Sequence, residues 1–176
     1  MPTPDVTIHP TLAEDGPAVT CLVELCFPGP ARRRTAALLR ADSPPIPGLA
    51  FVARAGGGAL VGSLACHPVR VVPAGGPPRP LVLLGPLAVA PEWRGRGIGG
   101  ALMACAVEAL DARGLDSMLI GDAPFYGRFG YSADATGQWT LPGPVERHRL
   151  LLRAAAPASW QGPAEVRPER AAARAA

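Results

Sequence analysis

Lysine is missing from this chain: all 17 basic residues are arginine. A nucleotide-binding P-loop needs a lysine to reach the phosphates, so that motif is excluded at once. A chain without lysine but rich in Ala, Gly, Pro and Arg reflects a GC-rich coding bias rather than a function. Against 14 acidic residues the net charge is only +3, too mild to argue for a nucleic-acid partner. No apolar run reaches the roughly eighteen residues of a membrane span. The opening "MPTPDVTIHP" is polar and unlike a secretory leader, so a soluble, cytoplasmic protein without membrane partners is expected. The four cysteines, Cys21, Cys26, Cys66 and Cys105, form no C-x-x-C pair, and each sits among apolar residues. Buried, reduced thiols are expected. Among them only Cys66 has a histidine, His67, beside it, as a reactive thiol would want.

What is present is enough for one core. The 176 residues are 48% apolar, which excludes a disordered chain. The 21 glycines and 22 prolines predict many loops. Residues 5–8 read as a first strand. Thr11 and Glu14 have the spacing of a capping box, and Val19, Leu22, Val23 and Cys26 follow at helical intervals. "FPGP" stops this helix, and "ARRRTAALLRAD" reads as a second one. Three strand-like runs follow at 49–55, 59–72 and 79–90, joined by "GGG" and "PAGGPPRP" turns. That is an antiparallel meander. Next comes a strand-turn-helix-strand unit, with the helix over 97–113 and a strand over 117–121. Ile98, Leu102, Cys105, Ala106, Ala109 and Leu110 give the helix one apolar face, and Gly114 ends it. A short helix, "DAPFYGRFG", precedes two last strands in "YSADATGQWTL" and "RHRLLLRAA". The tail from about Pro168 reads as frayed.

The turn in the middle, "PEWRGRGIGG", decides the reading. Glycines there let the main chain adopt unusual dihedrals and come close to a ligand. Backbone N–H groups leading into a helix N-terminus attract phosphate, and Arg94 and Arg96 add charge-assisted bonds. Gly95-x-Gly97-x-x-Gly100 satisfies the dinucleotide pattern, and Asp122 stands roughly where a ribose-binding acid would. In that fold the first glycine follows its strand almost directly. Here Pro91, Glu92, Trp93 and Arg94 intervene, and an antiparallel meander comes first, so a nicotinamide-dinucleotide fold is set aside.

Arg94-x-x-Gly97-x-Gly99 resembles the R/Q-x-x-G-x-G/A motif of the GNAT superfamily of acetyl-CoA-dependent N-acetyltransferases. "LAVAPEWRGRGIGGALM" is similar to that superfamily's strand-loop-helix signature, and "FYGRFGY" to its second marker. "LLGPLAV" with "GDAPFYGRFGY" resembles the bacterial branch typified by the YhbS proteins. The resemblance covers residues 5–154 in element order and is specific mainly over 81–131. It implies an α/β (α+β) fold: a mixed, mostly antiparallel sheet flanked by helices, with a splayed parallel strand pair at the acetyl-CoA site. Residues 155–176 would be a partly ordered C-terminal extension. One departure stands out: "LIGDAP" lacks the Asn that many members carry before the aromatic-Tyr pair.

The resemblance also implies roles. Leu87, Ala88 and Val89 would pair through their backbone with the pantetheine arm, and an N–H near Val89 would polarise the thioester oxygen. Gly85-Pro86 supports a distortion of that strand, because Pro donates to no ladder. Arg94, Gly95, Arg96, Gly97, Ile98, Gly99 and Gly100 would hold the pyrophosphate. Tyr126 would protonate the departing thiolate, with Phe125 and Phe129 as packing residues. Acetyl-CoA would be the co-substrate, a primary amine the acceptor, and no metal is expected; the protein would be a monomer or homodimer. No general base announces itself. Glu24 lies in the first helix; His67, His9, His148 and Glu92 read as structural or surface residues. Arg32, Arg33 and Arg34 read as a solvated helix face that would also attract an acidic acceptor. A coenzyme A-binding module without catalysis is the alternative from a different class.

Overall fold

The computed structural model describes residues 5–29 and 34–169. Strand β1 (Val6–Pro10) leads through a single 3-10 turn into helix α1 (Gly16–Cys26), and α2 (Thr35–Leu39) follows. Strands β2 (Ala50–Ala55), β3 (Leu60–Pro73) and β4 (Arg79–Val89) form the expected antiparallel meander. Helix α3 (Ile98–Ala112), strand β5 (Ser117–Ile120) and helix α4 (Ala123–Tyr126) complete the central unit. Strands β6 (Trp139–Thr140), β7 (Leu150–Arg153) and β8 (Ala164–Pro168) close the fold. The sheet runs β1-β2-β3-β4-β5-β7, with β8 on β3 and β6 on β8. Among the described residues only β4–β5 and β6–β8 are parallel.

The sheet separates two cores, and the period-two alternation of its strands is visible in them. Leu119 and Leu151 join Leu102, Met103 and Leu110 of α3 on one face. Met118, Leu150 and Leu152 join Leu39, Trp139 and Trp160 on the other. Helix α1 adds a smaller cluster, Leu22 against Ala88 and Ala90. It thereby sits over the end of β4, where the site forms.

Several expectations need correction. The capping box lies one residue further on and closes the 3-10 turn ahead of α1: Asp15, not Glu14, accepts the backbone N–H, from Leu12 at 2.8 Å. The intervening 3-10 turn shifts the register, and Asp15 is then buried, with Arg54 of β2 as its ion-pair partner. Helix α2 spans less than the sequence suggested, and its proposed start at Ala31, Arg32 and Arg33 lies outside the described residues. "YSADATGQWTL" is mostly turn: Ser132 makes one isolated bridge to Leu152, and only Trp139–Thr140 is strand. The Thr136 hydroxyl donates to the Leu150 carbonyl at 2.6 Å, taking the place of a ladder bond. Strand β8 was not read from the sequence at all, while the tail beyond Glu169 lies outside the described residues. Of the cysteines only Cys66 is buried; Cys21 is exposed and the other two are half-buried.

Candidate active site

The site begins where β4 leaves β5. Their parallel register holds at Val82–Ser117 and Leu83–Met118 and then ends. Strand β5 continues against β7 as far as Ile120–Leu150, while β4 turns aside. The cause is a bulge. Leu64 of β3 faces Leu87 of β4 but Cys66 faces Leu84, so β4 spends two residues, Gly85 and Pro86, where β3 spends one. Gly85 has φ +129°, a dihedral that side chains with a Cβ rarely accept.

Ladder parity then assigns the backbone beyond the bulge. The Ala90 N–H donates to the Val61 carbonyl at 2.9 Å. Hydrogen-bonded and non-bonded pairs alternate in an antiparallel ladder, so Ala88 faces Ser63 while Leu87 and Val89 face away from β3, into the gap. The Val89 carbonyl already accepts from the Cys26 thiol at 3.3 Å and from Arg94 Nε at 3.2 Å. What remains for a ligand is the Val89 N–H and the polar groups of Leu87. By the same parity the Ala88 amide turns toward β3, while Ala88 itself borders the gap.

The glycine turn forms the floor beside this gap. A 3-10 turn, Pro91–Trp93, leads to Gly95 at φ +74° and to Gly97 at φ +81°, the N-cap of α3. Ala101 makes the first helical bond, to the Gly97 carbonyl at 3.0 Å. The N–H groups of Ile98, Gly99 and Gly100 thus stand at the helix end without intrahelical acceptors. A Cβ built at Gly95, Gly97 or Gly100 would meet no heavy atom within 4 Å, so the turn opens onto free space. The resulting cleft measures about 650 Å³. Leu87, Ala88, Val89, Arg94, Gly95, Gly97, Ile98, Gly99 and Gly100 all line it. Arg96 does not line it: its guanidinium lies over the Trp93 ring, 4.9 Å from the centroid. Arg128 does, braced on the Phe125 ring at 4.8 Å. Its position inside "FYGRFGY" was the signal that could have revealed it.

Tyr126 stands at the end of the cleft, on α4. Its N–H bonds the Asp122 carbonyl at 3.1 Å, and its ring meets Phe125 edge-on at 4.8 Å. Gly121 makes room for it: a Cβ there would lie 2.2 Å from Cε2 and 2.8 Å from Cδ2 of the ring. Burial raises the Tyr126 pKa above its ordinary 10.0; the Asp122 charge adds to this and Arg149 offsets part of it. At neutral pH the group is a protonated phenol.

Residues 47–133 match the family model "Acetyltransferase (GNAT) domain". The chain belongs to the GNAT superfamily. Over 70 residues it is 36% identical to the uncharacterized N-acetyltransferase YjhQ of Escherichia coli (strain K12). That match spans 38% of this chain and only 39% of the relative's length. In fold it is similar to the GNAT family N-acetyltransferase YhbS of Escherichia coli, solved in complex with CoA: TM-score 0.72 at 24% identity, covering 94% of this chain and 91% of the other. A GNAT family acetyltransferase of Brucella melitensis, solved with acetyl-CoA, gives a TM-score of 0.58 at 25% identity, over 86% and 97% of the two chains.

A second cavity, about 840 Å³, lies against the first. Phe27, Leu87, Asp122 and Tyr126 border both. The residues weighed as a general base are elsewhere. His67 is buried, with Nδ1 2.9 Å from the Ser43 carbonyl oxygen, and burial lowers its pKa; the bond to Ser43 works against this and Arg40 adds to it. Glu24, Glu92, His9 and His148 are exposed and line neither cavity. Arg34 and Arg149 do line the second cavity, as does Arg40, which the sequence reading passed over. No helix among the described residues is long and apolar enough to cross a membrane.

Proposed function

We propose that this GNAT domain transfers an acetyl group from acetyl-CoA to a primary amine by direct attack on the thioester. The observation that carries this is the shared border: the splayed strand and glycine turn open onto one cleft, the second cavity is large enough for a small molecule, and Tyr126 lines both. The CoA and acetyl-CoA complexes of the structural relatives support the same ligand here.

The turn offers free N–H groups and a helix N-terminus to the pyrophosphate, with Arg94 and Arg128 as the nearby cations. The outward Leu87 and Val89 groups suit an amide-bearing arm, as an added strand would. The Val89 N–H is the donor for the thioester oxygen as negative charge grows there. The amine arrives from the second cavity; its nitrogen bonds the carbonyl carbon, the carbon–sulfur bond breaks, and the thiolate takes the Tyr126 proton. The proton lost by the amine leaves through solvent in the second cavity, since no side-chain base is assigned.

Thiol release from acetyl-CoA with a panel of primary amines tests the reading. Amine-dependent release, with acetyl-CoA raising the melting temperature, is expected. Thermal stabilisation without release for any amine would leave a binding module, and stabilisation by NAD instead would discard the reading.

A further inference from the structure

The second cavity holds more positive charge than its surroundings neutralise. Asp122 faces Arg149 at 3.2 Å and Glu146 faces the exposed His148 at 3.3 Å, and the wall carries three guanidinium groups against these two carboxylates. Arg40 is half-buried on the cavity wall and makes no ion pair or side-chain hydrogen bond among the described residues. Arg149 is already paired with Asp122, and its Nε is buried without a hydrogen-bond partner. Arg34, at the same cavity, lies over the Phe27 ring at 5.9 Å and has no carboxylate partner among the described residues. The rest of the wall includes Leu83, Pro86, Ile120 and Val145, which supply no counter-charge.

A guanidinium withdrawn from water without a partner is costly, and folded proteins tolerate it where a ligand supplies the missing charge. The planar fork fits an oxyanion by two parallel bonds, which an ammonium cannot do. Burial also holds the Arg40 pKa below its ordinary value, as an uncompensated cation requires. We propose that the second cavity selects acceptor amines that carry an oxyanion, a carboxylate or phosphate, at their far end, with Arg40 as its receptor and Arg34 and Arg149 at its side. The inference rests on the acetyl-transfer reading for the amine end. The anion site itself stands on the cavity alone. With the anion on the arginines, the amine points to the wall shared with the cleft, where Leu87 and Tyr126 stand.

The experiment follows thiol release from acetyl-CoA with 4-aminobutyrate, 3-aminopropylphosphonate and the neutral match 4-aminobutanamide. Calorimetry with glutarate and inorganic phosphate, on the CoA-bound protein, reads the anion site without any turnover. The anionic amines are expected to exceed the amide in kcat/KM by roughly 10- to 100-fold, the scale of a charged hydrogen-bonded contact. Arg40→Met should remove that preference and the glutarate or phosphate binding together. Arg70→Gln removes the same charge from a surface pair with Glu169 and should keep both. A carboxylate preferred over a phosphonate, or the reverse, supports the proposal and identifies the oxyanion. Equal use of acid and amide, with no anion bound, overturns the anion site while leaving acetyl transfer standing. Arg40-dependent anion binding with no amine turned over overturns acetyl transfer and leaves the anion site. A preference that survives in a folded Arg40→Met overturns the assignment of the receptor.

Discussion

Gly121→Ala is the sharpest perturbation the site offers. The added methyl would lie 2.2 Å from Tyr126 Cε2, 2.8 Å from Cδ2 and 3.1 Å from Cζ. Ordinary carbon contacts lie near 3.5–4.0 Å, so the ring must retreat by about 1.5 Å or the backbone of β5 must yield. Overpacking of this kind costs about 1–3 kcal/mol. At a catalytic centre a displacement of about 1 Å can cost on the order of 10²-fold in rate. Gly121→Ala should therefore lose about 10²-fold in kcat, and its melting temperature should fall. Acetyl-CoA affinity should hold, because Gly121 does not line the glycine cleft. Gly121→Ala combined with Tyr126→Ala should recover part of the lost stability, since removing the ring removes the collision, but no activity. Steady-state kinetics, isothermal titration with CoA and thermal melts on the three proteins supply the numbers. A Gly121→Ala protein with wild-type kcat and melting temperature would refute the claim that this glycine sets the position of the tyrosine.

Tyr126→Phe should lower kcat by about 10²–10⁴-fold with acetyl-CoA affinity nearly unchanged, because the proton is needed only as the carbon–sulfur bond breaks; wild-type turnover at every pH would place the donor elsewhere. Gly97→Val should weaken acetyl-CoA binding at least about tenfold, or about 1.4 kcal/mol. At φ +81° the same change strains the N-cap, so a lower melting temperature should accompany it, and unchanged affinity in a folded variant would end the assignment of the turn. His67 has a folded pKa below its ordinary 6.5, so the unfolded chain takes up the proton first. Its contribution to stability is full above 6.5 and is lost as pH falls through the folded value, with a slope of at most about 1.4 kcal/mol per pH unit. His67→Gln should flatten the fall of urea midpoints below about pH 6.5; an unchanged profile would show that His67 titrates as freely folded as unfolded.

The central unit was legible in the sequence because its signals are local. The run from 79 to 131 carries its own punctuation: Gly85-Pro86 bends β4, Gly97 starts α3 and Gly114 ends it. The residues around the second cavity were not legible, because fold and not spacing brings them together. Arg40 closes α2 and Arg149 precedes β7, more than a hundred residues later, and nothing near either residue announces a ligand. Arg96 lies apart from the cleft for a local reason. Its place in the motif suggested a phosphate contact, while the adjacent Trp93 offers its guanidinium a ring face. Strand β8 was hidden by composition. "AEVRP" has one buried apolar residue, Val166, and gains its order from pairing with β3.

That pairing has a consequence for how the chain is made. The edge of β3 over residues 69–73 bonds to residues 164–168, so on a ribosome it must wait until almost the whole fold, including the glycine-turn cleft, has emerged. Until then those residues present an open row of backbone donors and acceptors, the kind of template that captures another chain. Pro68 just before the row, Pro73 at its end and the Arg70 charge within it make that edge a poor partner for strangers. Nascent chains halted before residue 164 should accordingly be the aggregation-prone species of this protein, and their self-association should increase when Arg70 is replaced by an uncharged β-branched residue.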